Sequence, residues 1–337
     1  MLAQVEAIGQ PQHATPQRVR DLEFSDLYLG HPTLGNRLAD VPGAPANPVV
    51  AGPELAEDLA HLITLCQKEQ DCSPGGTDFK VEYDGVFYRV AVMRALGGDV
   101  FVMRRISKMV ADMRMLGIPE HYQKLLMAPN MTGLLLIAGA MKSGKTSTAC
   151  ALIRQRLEAY GGVAVTAEDP IELPLEGAHG PGVCYQTYAR RDSGGFAESA
   201  RHIVRWGAKI IFLGEIRDGE VAAEALRAGI NGHLVISTIH TDSVLTTMRR
   251  IQAMAAESFD PATANALLAD GLAGIFHQRL IGDPRRLSAE VLMVKGEASV
   301  VSAVRGGQFE RLDSEVKLQM ANIIQYSSTK SAAQRVG

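Results

Sequence analysis

The fold of this chain is decided by the stretch Gly139-Ala140-Met141-Lys142-Ser143-Gly144-Lys145-Thr146, which matches the pattern G-x-x-x-x-G-K-[ST]. In such a loop the glycines let backbone N–H groups surround a phosphate, while the lysine places its charge on the phosphate oxygens. An apolar strand at 133–138 precedes the loop. A helix at 146–160 is predicted to follow it and to turn its N-terminus toward the anion. The sequence therefore predicts a nucleotide site.

Strand-like and helical stretches alternate through the part of the chain that holds this loop. The apolar runs lie at 133–138, 163–167, 210–213 and 234–237. This alternation is typical of a mostly parallel sheet with helices on its faces, and it predicts an α/β fold. The corresponding P-loop domain is expected to span 120–337, with a helical C-terminal part.

The region before the loop has a different pattern. A helix is predicted over 54–69, with apolar residues at helical spacing. Three strands joined by glycine-containing turns are predicted after it, at 79–83, 86–92 and 99–104. These elements predict a smaller α+β domain over 17–106, with a flexible tail at 1–16 before it and a linker at 107–119 after it.

Composition excludes several classes of protein. Hydrophobic residues make up 46% of the 337 residues and charged residues 21%, which is typical of a soluble globular chain. The net charge of -3 and the scattered basic residues give no reason to expect direct nucleic-acid binding. The longest apolar stretch, at 134–141, is far shorter than the ~20 residues of a membrane span, and no secretory signal is visible. The four cysteines match no zinc or disulfide spacing, so a cytoplasmic location is expected.

Three further motifs place polar residues around predicted strands. Glu168-Asp169-Pro170-Ile171-Glu172 follows the strand at 163–167, and Gly214-Glu215-Ile216-Arg217-Asp218 follows the strand at 210–213. Gly232 to Thr241 carries His233 before a buried strand and His240 after it. Carboxylates after a strand are often helix caps and a single histidine is often structural, so each motif alone leaves both interpretations open.

Together the four motifs resemble those of the secretion-ATPase superfamily, the motors of type II secretion, type IV pili and type IV secretion. The order is that of the superfamily: Walker A, an acidic box of the EDPIE type, a Walker B box with GEIRD, and a histidine box of the GHLV-STxHT type. The likeness implies a RecA-like P-loop ATPase domain with a PAS-like N-terminal domain, and it implies ATP and Mg²⁺ as ligands.

One branch of the superfamily fits best. Secretion and pilus-assembly members usually carry a four-cysteine zinc insert after the histidine box, whereas residues 245–300 of this chain contain no cysteine. The compact form resembles the PilT-like retraction branch and the DotB-like and conjugation-associated ATPases. The phosphate loop departs from the usual GPTGSGKST, because Ala140-Met141-Lys142 replaces Pro-Thr-Gly. This change puts the rate of turnover in question.

The resemblance implies roles for individual residues. Glu168 is expected to activate water and Glu215 to support Mg²⁺ and the γ-phosphate, although these two roles are interchangeable at this point. His240 is expected to contact the γ-phosphate or hold the loops together. Thr146 and Glu215 are the expected Mg²⁺ ligands. The residues expected to bind nucleotide are Gly139, Ser143, Gly144, Lys145, Thr146, Ser147, His233 and Arg217.

Two arginines of the smaller domain also match family positions. Arg89 and Arg104 are expected to reach the phosphates and stabilise charge in the transition state, and Arg94 is an additional candidate. Each of the three equally fits an exposed strand face.

The resemblance implies a homo-hexameric motor that hydrolyses ATP at the inner membrane, associated with it through a platform protein. The expected work powers a type IV pilus or a type II or type IV secretion machine, and a conjugative machine is included among these. A nucleotide-binding regulator with little turnover and a RecA-type nucleic-acid motor remain as alternatives.

Overall fold

The computed structural model describes residues 18–72, 77–106, 109–189 and 195–333. The chain divides into two compact units, Met1–Lys108 and Met109–Gly337, which are described separately below. The predicted flexible tail at 1–16 lies outside the described residues. Among the helices of the described part, none is long and apolar enough to cross a membrane.

The first unit is an antiparallel sheet covered by one long helix. Its elements are β1 (Leu27–Leu29), β2 (Arg37–Leu38), β3 (Val49–Val50), α1 (Ala56–Cys72), β4 (Asp78–Tyr83), β5 (Val86–Ala95) and β6 (Gly98–Arg105). Within the described residues the strand order is β3-β2-β1-β6-β5-β4. The predicted helix and the three predicted strands are therefore present. The helix begins two residues later and ends three residues later than predicted, and each strand is extended by one to three residues at an end.

Turn chemistry and an apolar stripe explain this unit. Asp84 and Gly85 both have positive φ, 51° and 67°, which is what a two-residue hairpin loop between β4 and β5 requires. Leu59 and Leu62 of α1 are buried against the side of the sheet that carries Tyr88 and Met103. The alternate residues of β5 and β6, including Arg89 and Arg104, lie on the opposite side of the sheet.

The second unit is a larger α/β structure. Its helices are α2 (Glu120–Leu126), α3 (Lys145–Tyr160), α4 (Gly195–Arg205), α5 (Gly219–Ile230), α6 (Val244–Ala255), α7 (Pro261–Gly271), α8 (Ala298–Arg305) and α9 (Leu312–Ala333). Its strands are β7 (Gly133–Ala138), β8 (Gly162–Glu168), β9 (Gly177–His179), β10 (Gly182–Tyr188), β11 (Ile210–Glu215), β12 (Leu234–Ile239), β13 (Leu272–Ile281) and β14 (Arg286–Met293).

The central strands of this unit run parallel. In the described chain the sheet order is β14-β13-β7-β12-β11-β8-β10-β9, and the pairs from β13 to β10 are parallel. The two edge strands, β14 and β9, are antiparallel to their neighbours. The predicted α/β fold is confirmed, and all carboxyl ends of the parallel strands meet at one edge of the sheet.

Both faces of this sheet are buried, which explains why its strands are apolar throughout. Leu134 and Leu136 of β7 belong to a core that contains side chains of α4 to α8. Leu135 and Ile137 point to the other face and pack with α2 and α3. Because successive residues of a strand face opposite sides, a strand with two buried faces needs a continuous apolar run.

The predicted linker, 107–119, contributes its described residues, 109–119, to the second unit. Residues 107 and 108 lie outside the described residues. Val110, Met113 and Ile118 are almost fully buried in the core formed with α2 and α3. The described part of this segment is therefore packed into the second unit.

Candidate active site

The candidate residues of the second unit gather at the carboxyl edge of its parallel sheet. The phosphate loop follows β7, Glu168 ends β8, Glu215 ends β11, and His240 comes directly after β12. Ligand sites of open α/β sheets lie at this edge, because the strand ends open there onto loops. The order of strands thus brings together motifs that are far apart in the sequence.

The phosphate loop has the backbone shape that its glycines permit. Gly144 has φ 84° and Lys142 has φ 60°, both in the left-handed region. A Cβ atom on Gly139 would lie 2.3 Å from the carbonyl oxygen of Gln278 on the adjacent strand β13, so only glycine fits at this position. Helix α3 begins at Lys145, and its first turn is directed at the loop.

The Lys145 side chain is buried within the loop. Its Nζ atom donates to the carbonyl oxygens of Gly139 at 3.0 Å and Ala140 at 2.7 Å, and it lies 3.2 Å from Nδ1 of His240. Burial lowers the pKa of Lys145, whereas the carboxylates of Glu215 and Glu172 act in the opposite direction. The ammonium group is therefore placed as the positive charge of the loop.

The hydroxyl residues of the loop differ in exposure. Ser143 is buried, and its Oγ atom has no hydrogen-bond partner among the described residues. Thr146 and Ser147 are half-buried in the first turn of α3. Nucleotide-bound Mg²⁺ prefers hard oxygen ligands and takes one or two of them from the protein. The Thr146 hydroxyl and the Glu215 carboxylate fit that donor chemistry.

Glu215 is held in position by its strand and by an arginine. The register between β11 and β12 shifts between Leu213 and Glu215, an irregularity that redirects the side chain at the end of the strand. Nε and Nη2 of Arg217 lie 2.9 and 2.8 Å from Oε2 of Glu215. Asp218, the last residue of the same motif, accepts from Val221 N–H as the N-cap of α5 and is structural.

His240 bridges the loop lysine and the Walker B carboxylate. Its Nδ1 atom faces Lys145, and its Nε2 atom lies 3.5 Å from Oε1 of Glu215. Burial, followed by the neighbouring Lys145 ammonium, lowers the pKa of His240, so the ring is neutral at pH 7. An ammonium group only donates, so Nδ1 accepts and the ring proton lies on Nε2, facing Glu215.

Glu168 is the most deeply buried carboxyl of the site. It is 2% exposed, and its Oε1 atom accepts from Thr166 Oγ1 at 2.7 Å and Gln186 Nε2 at 2.9 Å. Burial raises the pKa of Glu168 to about 7, because desolvation outweighs both hydrogen bonds. A carboxyl that titrates near neutral pH suits general-base chemistry.

Two glutamines near the site are missed by sequence reasoning. Gln186 on β10 donates to Glu168, and Gln278 on β13 donates to the carbonyl oxygen of Ser143 at 2.6 Å. Gln278 is fully buried. Neither belongs to a recognised motif, and each strand carries other polar residues beside its glutamine, so no local signal marks the two glutamines.

His233 is not brought to the phosphate loop of its own chain, and its expected binding of nucleotide stays a prediction. It precedes β12, and its carbonyl oxygen accepts from Gly133 N–H at the start of β7. Its Nδ1 atom pairs with the carbonyl of Ala208 at 2.7 Å. His233 therefore lies at the amino edge of the parallel strands, whereas the loop and His240 lie at the carboxyl edge.

The candidate arginines belong to the first unit and have local partners there. Arg89 and Arg104 face each other across β5 and β6. Arg89 lies 3.4 Å from Asp78, and Arg104 forms a 2.7 Å ion pair with Asp26. Arg94 is exposed near the end of β5. Their predicted action on the phosphates stays a prediction.

The parallel sheet, the phosphate loop and the acidic strand ends define a P-loop protein of the RecA-like class. Residues 71–329 match the Type II/IV secretion system protein family, and the chain belongs to that family. The resemblance noted from the four motifs is thereby confirmed.

Curated relatives share the central part of the chain. Type II secretion system protein E of Pectobacterium carotovorum subsp. carotovorum is 36% identical over 197 residues, covering 57% of this chain and 37% of that protein. The Protein transport protein HofB homolog of Escherichia coli (strain K12) is 32% identical over 256 residues, covering 73% of this chain and 51% of that protein. The chain thus matches about half or less of the length of these relatives.

Solved structures share the architecture along most of the chain. The crystal structure of the pilus retraction motor PilT with bound ADP has a TM-score of 0.73 and 26% identity, covering 93% of this chain and 91% of that one. The Legionella pneumophila ATPase DotB has a TM-score of 0.68, covering 88% of this chain and 85% of that one. Because the two sequences are only 22% identical, this similarity shows that they share a fold and nothing further.

Proposed function

We propose that this chain hydrolyses ATP and acts as a motor ATPase of a type IV pilus or a type II or type IV secretion machine. The observation that carries the proposal is the meeting of Lys145, His240 and Glu215 at one sheet edge, next to the strand that ends in Glu168. Family membership and the likeness to a pilus retraction motor with bound ADP support it.

In the proposed reaction the loop binds the phosphates of ATP. Backbone N–H groups of residues 139–146 and the Lys145 ammonium neutralise the β- and γ-phosphates, and Ser147 adds a hydroxyl at the first turn of α3. Mg²⁺, held by Thr146 and Glu215, supplies further neutralisation of the phosphate charge when it is bound. Arg217 holds the Glu215 carboxylate in place for this task.

Glu168 is proposed as the general base. Its raised pKa lets it accept a proton near neutral pH, whereas Glu215 is occupied by Arg217 and faces His240. This difference favours water activation by Glu168 and metal support by Glu215. The sequence alone had also allowed the reverse assignment. His240 is proposed to relay the state of the phosphates between Lys145 and Glu215.

The proposal extends to assembly and location. The family resemblance supports a homo-hexamer in the cytoplasm, associated with the inner membrane through a platform protein, with no direct nucleic-acid contact. Arg89 and Arg104 are proposed to add positive charge to the phosphates during the cycle, in their own chain or in a neighbouring one. An arginine in that role stabilises charge that develops in the transition state.

Phosphate release from Mg-ATP, measured with and without DNA and combined with sedimentation analysis, tests this proposal. We expect hydrolysis that DNA does not stimulate, carried out by a hexamer. Arg104→Ala should bind ATP and lose most of the hydrolysis rate. Arg20→Ala is the matched control, because Arg20 is another arginine of the first unit that pairs with an aspartate. A fully active monomer contradicts the ring. Binding of ATP without turnover favours the nucleotide-binding regulator, and stimulation by DNA favours the nucleic-acid motor.

A further inference from the structure

Gln186 lies beside the buried carboxyl at the end of β8. In the parallel pairing of β10 and β8, Gln186 is the register partner of Thr166. Thr166 and Glu168 are two residues apart on one strand, so their side chains point to the same face of the sheet. Thr166 therefore approaches Glu168 from its own strand, and Gln186 approaches it from the adjacent strand β10.

The side-chain amide of Gln186 uses every hydrogen-bonding position available to it. Its Nε2 atom donates to Glu168 Oε1 at 2.9 Å and to the carbonyl oxygen of Leu173 at 2.9 Å. Its Oε1 atom accepts from the backbone N–H groups of Leu175 and Glu176 at 2.7 and 2.9 Å. The backbone N–H of Gln186 in turn donates to the Glu176 carboxylate. One residue thus ties the loop after Glu168 to the strand that supports Glu168.

The two oxygens of Glu168 have different surroundings. Oε1 receives both side-chain donors, from Thr166 and Gln186. No side chain of the described residues donates to Oε2. The backbone N–H of Glu172 also acts on this carboxyl and lowers its pKa. A carboxylate oxygen that already accepts two side-chain hydrogen bonds is a poorer proton acceptor than one that accepts no side-chain hydrogen bond, because both bonds stabilise its negative charge.

We propose that Gln186 is a positioning residue which, with Thr166, saturates Oε1 of Glu168 and leaves Oε2 as the oxygen that accepts the proton of the attacking water. The inference rests on the proposed hydrolysis of ATP. Oε2 takes one proton from water while the water oxygen bonds to the γ-phosphorus. The bond between that phosphorus and the bridging oxygen breaks, ADP leaves with the electron pair, and the Glu168 proton later passes to solvent.

The charges around Glu168 set the direction of the expected effect. Burial raises the pKa of Glu168, and the carboxylate of Glu172, in the loop that follows β8, raises it further, whereas the Glu172 backbone N–H lowers it. The thiols of Cys150 on α3 and Cys184 on β10 also face this carboxyl, and burial raises the pKa of both, so they are neutral near pH 7. The Gln186 and Thr166 hydrogen bonds lower the pKa of Glu168. Removing either donor should therefore raise it.

Three variants and one matched control test the inference. Gln186→Leu and Thr166→Val each remove one donor to Glu168 with little change of volume, and Thr166→Ser retains the hydroxyl. Gln186→Leu also removes the three bonds of this amide to backbone groups of the loop after β8. Gln319→Leu is the control, because Gln319 also bonds backbone groups through both ends of its amide, at Met293, far from Glu168 in the sequence. The first readout is the pH profile of kcat and of KM. The second is an NMR titration that follows the carbon-13 signal of the Glu168 carboxyl in nucleotide-free protein, and the signal is assigned by its loss in Glu168→Gln.

We expect Gln186→Leu and Thr166→Val to move the acid limb of kcat and the Glu168 titration to higher pH. The value of kcat at pH 7 should fall about tenfold or more, with KM within about threefold. Thr166→Ser and Gln319→Leu should keep the wild-type midpoint. An unchanged Glu168 titration in both donor variants overturns the inference and leaves the proposed function intact. Normal activity of Glu168→Gln instead overturns the role of Glu168 in the proposed function.

Discussion

His240 accepts a hydrogen bond at Nδ1 from the ammonium group of Lys145, at 3.2 Å. The same ring faces Glu215 through Nε2, so one neutral imidazole joins the phosphate loop to the end of β11. Phosphate oxygens that draw Lys145 toward them would change the hydrogen bond at Nδ1 and, with it, the field at Glu215. This connection gives His240 a physical role in linking nucleotide binding to the Walker B carboxylate.

Lys145→Ala should weaken Mg-ATP binding and abolish hydrolysis. The substitution removes the buried ammonium group, and hydrogen bonds between such a charge and phosphate oxygens are among the strongest that proteins make. Isothermal titration with Mg-ATP and a phosphate-release assay measure the two effects. Lys124→Ala, at an exposed lysine of α2, is the control. Near-normal hydrolysis by Lys145→Ala would show that the loop has been misread.

Much of the site is predictable from the sequence because its key groups are local. The phosphate loop, the strand before it and the helix after it are contiguous, so one motif predicts all three. Glu168, Glu215 and His240 each follow an apolar strand, and parallel strands end at one edge of their sheet. The position of Glu168, Glu215 and His240 after their strands and the parallel direction of those strands are therefore sufficient to place the three residues together.

The remaining parts depend on tertiary contacts that no local pattern encodes. Gln186 is 18 positions from Glu168 and Gln278 is 135 positions from Ser143, so each reaches its partner only through strand pairing. His233 shares a motif with His240 but lies at the opposite edge of the sheet. The six-residue strand β12 separates the two histidines by about 20 Å, at ~3.3 Å per residue.

Lys142→Gly should stabilise the protein. Lys142 has φ 60°, a conformation that costs a non-glycine residue about 1–2 kcal/mol relative to glycine. Glycine loses more conformational freedom on folding than lysine, and this cost offsets part of the gain. The net increase in the free energy of unfolding, measured by urea denaturation, should be about 1 kcal/mol. The matched change Lys124→Gly, within helix α2, should destabilise by a similar amount. A destabilised Lys142→Gly would contradict this account of the loop.

Gln278→Leu should weaken nucleotide binding while the protein stays folded. The substitution removes the 2.6 Å hydrogen bond to the Ser143 carbonyl oxygen, which holds the loop in shape. Loss of one such bond, about 1 kcal/mol, predicts a rise in the Kd for Mg-ATP of about five- to tenfold. Gln123→Leu removes an equally short bond, to Ile118 in the same unit, and should leave the Kd unchanged. Equal effects of the two variants would remove Gln278 from the site.

Glu168 should make the stability of the protein fall as the pH rises. The folded state raises the pKa of this carboxyl from 4.5 to about 7, so between these values the folded protein binds more protons than the unfolded chain. The free energy of unfolding therefore decreases with pH across this window. Glu168→Gln should remove that slope and stabilise the protein at pH 8 by up to about 3 kcal/mol. Urea denaturation of the wild-type protein and of Glu168→Gln at pH 5 and pH 8 measures both effects. The same pH dependence of the free energy of unfolding in the two proteins would contradict the burial of the Glu168 charge.

The measurement that tests the central claim most directly is single-turnover hydrolysis of Mg-ATP by the wild-type protein and by Glu168→Gln, with ATP binding measured on the same samples. The account predicts wild-type hydrolysis, a variant Kd within about threefold of wild type, and a variant rate reduced by about 10²–10⁴. Neither carboxylate attracts the polyanion, so Glu215→Gln should also bind ATP normally. A wild-type protein that releases no phosphate, or normal hydrolysis by Glu168→Gln, would contradict the account.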